Sequence, residues 1–308
     1  MSFIEAHRQR WGVEPICRAL QFAPATYYAA RCRPRSARGE RDELLKVDVA
    51  RVFEENYRVY GADKVWAQLN REGISVARCT TERLMRDLGL QGARRGRAWR
   101  RTTIGDELLE RPRDLVERQF NAPGPNRLWV ADLTYVKTHC GFVYVAFVID
   151  VFSRRIVGWQ ASSSLRSDLA IDALEMAVYA RREQSIDGLI HHSDRGVQYL
   201  SIRYTERLAD AGVVASVGSR GDSYDNALAE SAIGLYKTEL IHRRGPWKSV
   251  EDVEWATLTY VEWFNNRRLH GEIGMIPPAE FEFRYATPAR SVEQAHQQER
   301  TSQTTESL

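Results

Sequence analysis

Between residues 128 and 161, three runs rich in β-branched and aromatic residues follow one another with almost nothing between them. They are 128–138 (LWVADLTYVKT), 142–152 (FVYVAFVIDVF) and 155–161 (RIVGWQA), with breaks at 139–141 and 153–154. Val, Ile, Tyr, Phe and Trp favour strands. Connections this short allow only antiparallel neighbours, because a parallel crossover needs a dozen residues or more. The period then changes. Residues 167–182 carry Leu169, Ala170, Leu174, Ala177 and Val178 on one helical face. A fourth strand is expected at 188–193, a helix at 202–211, a fifth strand at 213–217, and closing helices at 226–241 and 249–266. In the last helix Val250, Val253, Ala256, Tyr260, Val261 and Phe264 mark the buried stripe. Three antiparallel strands followed by alternating helix and strand predict an α/β core, a mixed five-stranded sheet flanked by helices.

The chain before this core reads as helical. Residues 4–11, 13–20 and 25–31 outline a first helix-turn-helix-like unit, and 31–41 (RCRPRSARGER) reads as a linker. A second such module is expected from helices at 44–57, 64–71 and 77–88. Leu44, Val47, Val52 and Phe53 are apolar on the first, and Leu84, Met85 and Leu88 on the third. Arg78, Arg83 and Arg86 lie on that third helix and are candidates to face DNA. Residues 91–101 (QGARRGRAWRR) bring Arg94, Arg95, Arg97, Arg100 and Arg101 together with no apolar period, as a basic linker suited to phosphate contact would. An ordinary solvated linker would look similar. The division expected is 1–40, 41–92, 93–125 (linker), 126–285 (core) and 286–308, a Gln-, Ser- and Thr-rich tail expected to be disordered.

Charge is uneven along the chain. The net value is +3, but basic residues exceed acidic ones over 1–120 and the reverse holds from 121 onwards. This suggests one part that meets a polyanion and another that collects cations. The four cysteines (Cys17, Cys32, Cys79, Cys140) form no C-x-x-C pair, which argues against a zinc site or a disulfide framework. No apolar run reaches the roughly 20 residues of a membrane helix, and the start MSFIEAHRQRWG has no apolar signal stretch. A cytoplasmic protein with no membrane partner is expected.

Three carboxylates stand out. Asp132 lies mid-strand, where acidic residues are disfavoured, on the same face as Val130, Thr134 and Val136. Asp194 follows the fourth strand in HHSDRG, at a strand end of the kind that hosts ligands, although a turn or helix-cap aspartate fits there too. Glu230 sits in DNALAESAIGLYK with Lys237 seven residues on, on nearly the same helix face and too far apart for a direct pair. Carboxylates on two strands and a helix could hold hard divalent ions for phosphoryl transfer, yet acidic residues are plentiful and spacing alone does not single these out.

The surrounding strings are more specific. WVADLTYV (129–136), HHSDRGVQY (191–199) and SRGDSYDNALAES (219–231) resemble the signature blocks of insertion-sequence transposases with a retroviral-integrase-like core, the second-reading-frame product. The 35 residues between Asp194 and Glu230 are similar to the family's D-D-35-E spacing, and FNNRRLHGEIGMIPPAEF (264–281) resembles the end of its core. WGVEPICRAL and YRVYGADKVWAQLN are similar to its helix-turn-helix regions, so the resemblance spans about 1–285. It implies a ribonuclease-H-like core and a metal-binding catalytic triad of Asp132, Asp194 and Glu230, with two Mg²⁺ or Mn²⁺ ions. It also implies that Lys237 contacts DNA near the site. The reaction implied is nicking at the element's end, then attack of the freed 3′-hydroxyl on another phosphodiester. Implied partners are double-stranded DNA, further copies of the chain on that DNA, and a first-frame product, since no sustained heptad repeat is present here. The rivals are a catalytically silent DNA-binding repressor or partner, and a nuclease on the same fold that cleaves without joining.

Overall fold

A computed structural model describes residues 1–32, 36–94, 122–193, 199, 202–217 and 227–286. Three strands, β1 (Leu128–Thr138), β2 (Gly141–Asp150) and β3 (Ile156–Ser162), form the expected antiparallel meander. Helix α7 (Ser167–Ala180) leads to β4 (Ile190–Ser193), and α8 (Ile202–Asp210) leads to β5 (Val214–Val217). Strand β4 runs parallel to β1 and β5 parallel to β4, giving the order β3-β2-β1-β4-β5. This is the mixed, ribonuclease-H-like sheet expected from the sequence.

Alternation along β1 sends its side chains into two cores. Trp129 and Ala131 are buried with Leu169, Leu174, Tyr204 and Leu208 under α7 and α8. Val130 and Val136 are buried on the other face, with Phe147 of β2, under α9 (Ala227–Tyr236) and α11 (Val250–Asn266). The helix expected at 226–241 is not uniform. After α9 the chain makes a π-helical turn, Lys237–Ile241, and a last helical turn α10 (His242–Arg244). Ser249 caps α11 by accepting from the Asp252 amide.

The amino-terminal helices are α1 (Ser2–Trp11), α2 (Val13–Ala19) and α3 (Pro24–Cys32), around Ile4, Ile16, Cys17 and Tyr27. The second module is α4 (Ala37–Glu55), α5 (Ala62–Arg71) and α6 (Arg78–Asp87). Two expectations are corrected here. The linker reading of 31–41 fails at its end, because Ser36 accepts from the Gly39 amide at 3.2 Å and starts α4 at Ala37. Leu44 and Val47 are 71% and 69% exposed; Leu45, Val49, Val52 and Phe53, at i, i+4, i+7 and i+8, form the buried stripe instead.

This module shares one core with the sheet's helices. Trp263 donates Nε1–H to Asn56 Oδ1 at 3.0 Å, and the Tyr60 hydroxyl accepts from the Leu269 amide at 2.8 Å. Residues 278–286 are helical. Glu282 there accepts from the buried Arg181 and from Arg155, tying this segment to the end of α7 and to the β2–β3 turn. Of residues 286–308, expected to be disordered, Ala286 ends this helix and 287–308 lie outside the described residues.

Candidate active site

The site is built on α9, the third helix of the core, and the middle of β1. Ala229, Ile233 and Tyr236 are buried, and the Tyr236 ring stands 5.0 Å from that of Phe147, which fixes α9 against β2. Phe147 is the register partner of Asp132, so the carboxylate on β1 lies on the face that α9 covers. Asp132 is half-buried, and its Oδ1 accepts from the Leu133 amide at 2.7 Å. Glu230 is half-buried in the first turn of α9, where unpaired amides favour negative charge.

Lys237 opens the π turn at the end of the same helix. Burial lowers its pKa, and the negative charge of Asp132 works in the opposite direction, so ammonium and carboxylate lie within electrostatic reach. Its Nζ is 5.0 Å from the centroid of the Tyr135 ring. Seven helical residues advance about 10 Å, so Glu230 and Lys237 bracket a stretch of α9 laid against β1. The structure thus places Asp132 on the face covered by α9, Glu230 in the first turn of that helix and Lys237 directly after its end.

Asp194 lies outside the described residues. Its predecessor Ser193 ends β4, and the parallel register pairs Ser193 with Ala131, the residue before Asp132. The adjacent imidazoles are structural. His191 Nε2 lies 3.0 Å from the Tyr204 hydroxyl and His192 Nδ1 2.9 Å from Ser216 Oγ, and both rings are buried. Burial pulls the His191 pKa down to about 4. Among the described residues no group of three His, Cys, Asp or Glu side chains could hold a metal ion. The two described carboxylates nevertheless offer only hard oxygen donors, in half-buried positions, which fits Mg²⁺ or Mn²⁺ rather than a softer ion.

The arginine candidates divide. Arg78 on α6 pairs with Asp63 and Glu82; Arg83 holds both Asp42 oxygens at 2.9 Å; Arg86 lies 3.5 Å from Glu82. Any DNA contact by these three would exchange with carboxylates already in place. Arg94 is exposed, whereas Arg95, Arg97, Arg100 and Arg101 lie outside the described residues.

Sequence reasoning did not find the buried polar group behind α9. Glu239, in the π turn, accepts from Arg268 Nε at 2.9 Å, from Arg268 NH2 at 2.6 Å and from the Tyr260 hydroxyl at 3.0 Å. Both charged residues are about nine-tenths buried or more, and Arg268 also approaches His270 at 3.3 Å. A local sequence signal existed only for Arg268 and His270, inside the block that resembles the end of the family core.

Residues 122–223 and, separately, 211–278 match the integrase core domain, and residues 40–98 match the HTH-like domain. A putative transposase for insertion sequence element IS986/IS6110 of Mycobacterium tuberculosis is 56% identical over 269 residues, covering 86% of this chain and 96% of that protein. The transposase for insertion sequence element IS629 of Shigella sonnei is 53% identical over 290 residues, covering 92% and 96%. Among solved structures, the HTLV-2 integrase catalytic core domain in complex with magnesium is 17% identical. It covers 53% of this chain and 99% of its own, with a TM-score of 0.42. Among the described residues, no helix is long and apolar enough to cross a membrane.

Proposed function

The chain belongs to the insertion-sequence transposases with an integrase core domain, and on that premise we propose that it nicks DNA at the element's end and joins the freed 3′-hydroxyl to a second phosphodiester. The observation that carries this reading is that Asp132 lies on the face of β1 covered by α9, the helix that bears Glu230 in its first turn and runs directly into Lys237. A carboxylate on the strand and a half-buried lysine after the helix packed on it are suited to hold a cation on one side of a phosphate and neutralise the phosphate on the other.

Asp132, Asp194 and Glu230 are the proposed metal ligands. Asp194 follows directly on Ser193, whose pairing with Ala131 supports its joining Asp132 at the sheet's open end. When bound, magnesium or manganese would activate the attacking oxygen and stabilise the leaving one in an in-line displacement. The protein's own share is positional. Strand β1 fixes Asp132, α9 fixes Glu230 through Ala229, Ile233 and Tyr236, and Lys237 steadies the phosphodiester. No serine or tyrosine nucleophile is required. The HTH-like region and the basic stretch from Arg94 to Arg101 are proposed to grip DNA, with affinity falling as salt rises. Arg78, Arg83 and Arg86 are proposed contacts that must first leave their carboxylates. Further copies of the chain and a first-frame product are the proposed protein partners.

The test is strand nicking and joining on a labelled element-end duplex with Mg²⁺ or Mn²⁺, with and without chelator. Nicked and joined products that vanish on chelation are expected. Nicking without joining would point to a nuclease. DNA binding without any product, even after fusion to the first-frame polypeptide, would point to a repressor.

A further inference from the structure

The β1–β2 hairpin carries two large aromatic rings into solvent close to the proposed active site. Tyr135 and Phe142 are 45% and 50% exposed. The register pairs Tyr135 with Tyr144 and Lys137 with Phe142, so the two rings are diagonal neighbours across the strands. Their centroids are 5.5 Å apart at an interplanar angle of 89°. Earlier residues on the same face of β1, Trp129 and Ala131, are sealed in the α7–α8 core; that cover ends before Tyr135.

A single exposed aromatic needs no explanation. This pair has a cation beside it, because the Nζ of Lys237 lies over the Tyr135 ring, 5.0 Å from its centroid, and that ammonium also feels the charge of Asp132. A nucleotide presents the complementary arrangement, an anionic phosphate joined to a flat, apolar base. Aromatic faces beside basic groups are the usual platform for bases outside a duplex, and stacking tolerates any sequence. A base inside a duplex has both faces already stacked and cannot use such a platform.

The geometry points to a binding site for one unpaired nucleobase, stacked on one ring of the perpendicular Tyr135–Phe142 pair with its edge against the other, while Lys237 holds its phosphate, three residues along β1 from the proposed cut at Asp132. This rests on the proposed DNA chemistry and extends it: the duplex is opened at the cut, and the displaced base is held by the hairpin.

The experiment uses the full chain without divalent metal. Binding is compared for a fluorescein-labelled duplex with a few mismatched terminal pairs, one of them carrying 2-aminopurine, and for the same duplex fully paired. Wild type is expected to prefer the frayed duplex and to quench the 2-aminopurine. Tyr135→Ala is expected to lose about fivefold or more of the affinity for the frayed duplex, with the paired duplex unchanged within about twofold. Tyr135→Trp is expected to restore both preference and quenching. Phe142→Ala should act in the same direction as Tyr135→Ala and serves if the latter does not fold. Equal wild-type affinity for both duplexes overturns the proposal, as does an effect of Tyr135→Ala confined to self-association in the ultracentrifuge, which would make the rings a contact between copies. Wild type that binds neither duplex removes the DNA reading itself, an outcome distinct from the loss of the platform alone.

Discussion

Replacing Glu239 by glutamine keeps the shape of the side chain and removes its charge. The Arg268 guanidinium would then stay where it is, 3% exposed, with two of its nitrogens facing an amide instead of a carboxylate. Burial, the largest single influence, disfavours its charge, but the hydrogen bonds to Glu239 and the charge of Glu239 together outweigh it and raise its pKa in the folded state. Breaking one half of a buried ion pair costs about 3–5 kcal/mol, against roughly 0–1 kcal/mol for a pair at the surface. Tyr260 keeps an acceptor in the glutamine carbonyl, so its hydroxyl adds little. Urea unfolding followed by tryptophan fluorescence is a suitable assay, since Trp263 is buried about 6 Å from the guanidinium. The expectation is a loss of about 3–5 kcal/mol at unchanged m-value. The double change Glu239→Met with Arg268→Met should recover most of it, because no buried charge remains. A Glu239→Gln loss below about 1 kcal/mol, or a double variant worse than either single one, would refute the reasoning.

Other sites give independent expectations. A Cβ built on Gly158 of β3 would lie 2.1 Å from the Ala173 carbonyl oxygen and 2.9 Å from Ala177, so Gly158→Ala must push α7 off the sheet. The loss should exceed the usual overpacking cost of about 1–3 kcal/mol and show as a lowered Tm, and an unchanged Tm would contradict the packing described. His191 is neutral when folded, its pKa pulled to about 4 by burial, so the unfolded chain takes up a proton that the folded one refuses between about pH 4 and 6.5. Its contribution is full above that window and is lost as pH falls through it. His191→Gln should therefore flatten the stability-versus-pH slope there by about 1.4 kcal/mol per pH unit, and parallel slopes would count against it.

The sheet could be read because its first three strands are joined by turns too short for any other arrangement, and because α7, α8 and α11 keep a clean apolar stripe. Asp132 stood out as an acid in mid-strand, and its half-buried place under α9 follows from strand alternation. Asp150 shows the limit of that logic. It ends β2, is more buried than Asp132, and spends its oxygens on the Asn126 and Ser153 amides and the Ser153 hydroxyl. A carboxylate that organises a turn and one that faces a helix look alike in sequence. The Glu239–Arg268 pair was hidden because its members are 29 residues apart and meet only through a π turn that carries no local signal. The burial of Leu45 in place of Leu44 turned on one residue of helical phase. Tyr135 and Phe142 read simply as strand formers, since alternation gives a face but not where the covering helices stop.

The most direct test of the account is the single-turnover rate of element-end nicking for Asp132→Asn, Asp194→Asn, Glu230→Gln and the triple variant, each checked for DNA binding. If the three carboxylates act as one unit, each single change should depress the rate by two orders of magnitude or more, about 3 kcal/mol. Each should come close to the triple variant while DNA binding persists. A single variant that nicks at close to the wild-type rate would contradict the account and remove that residue from the site.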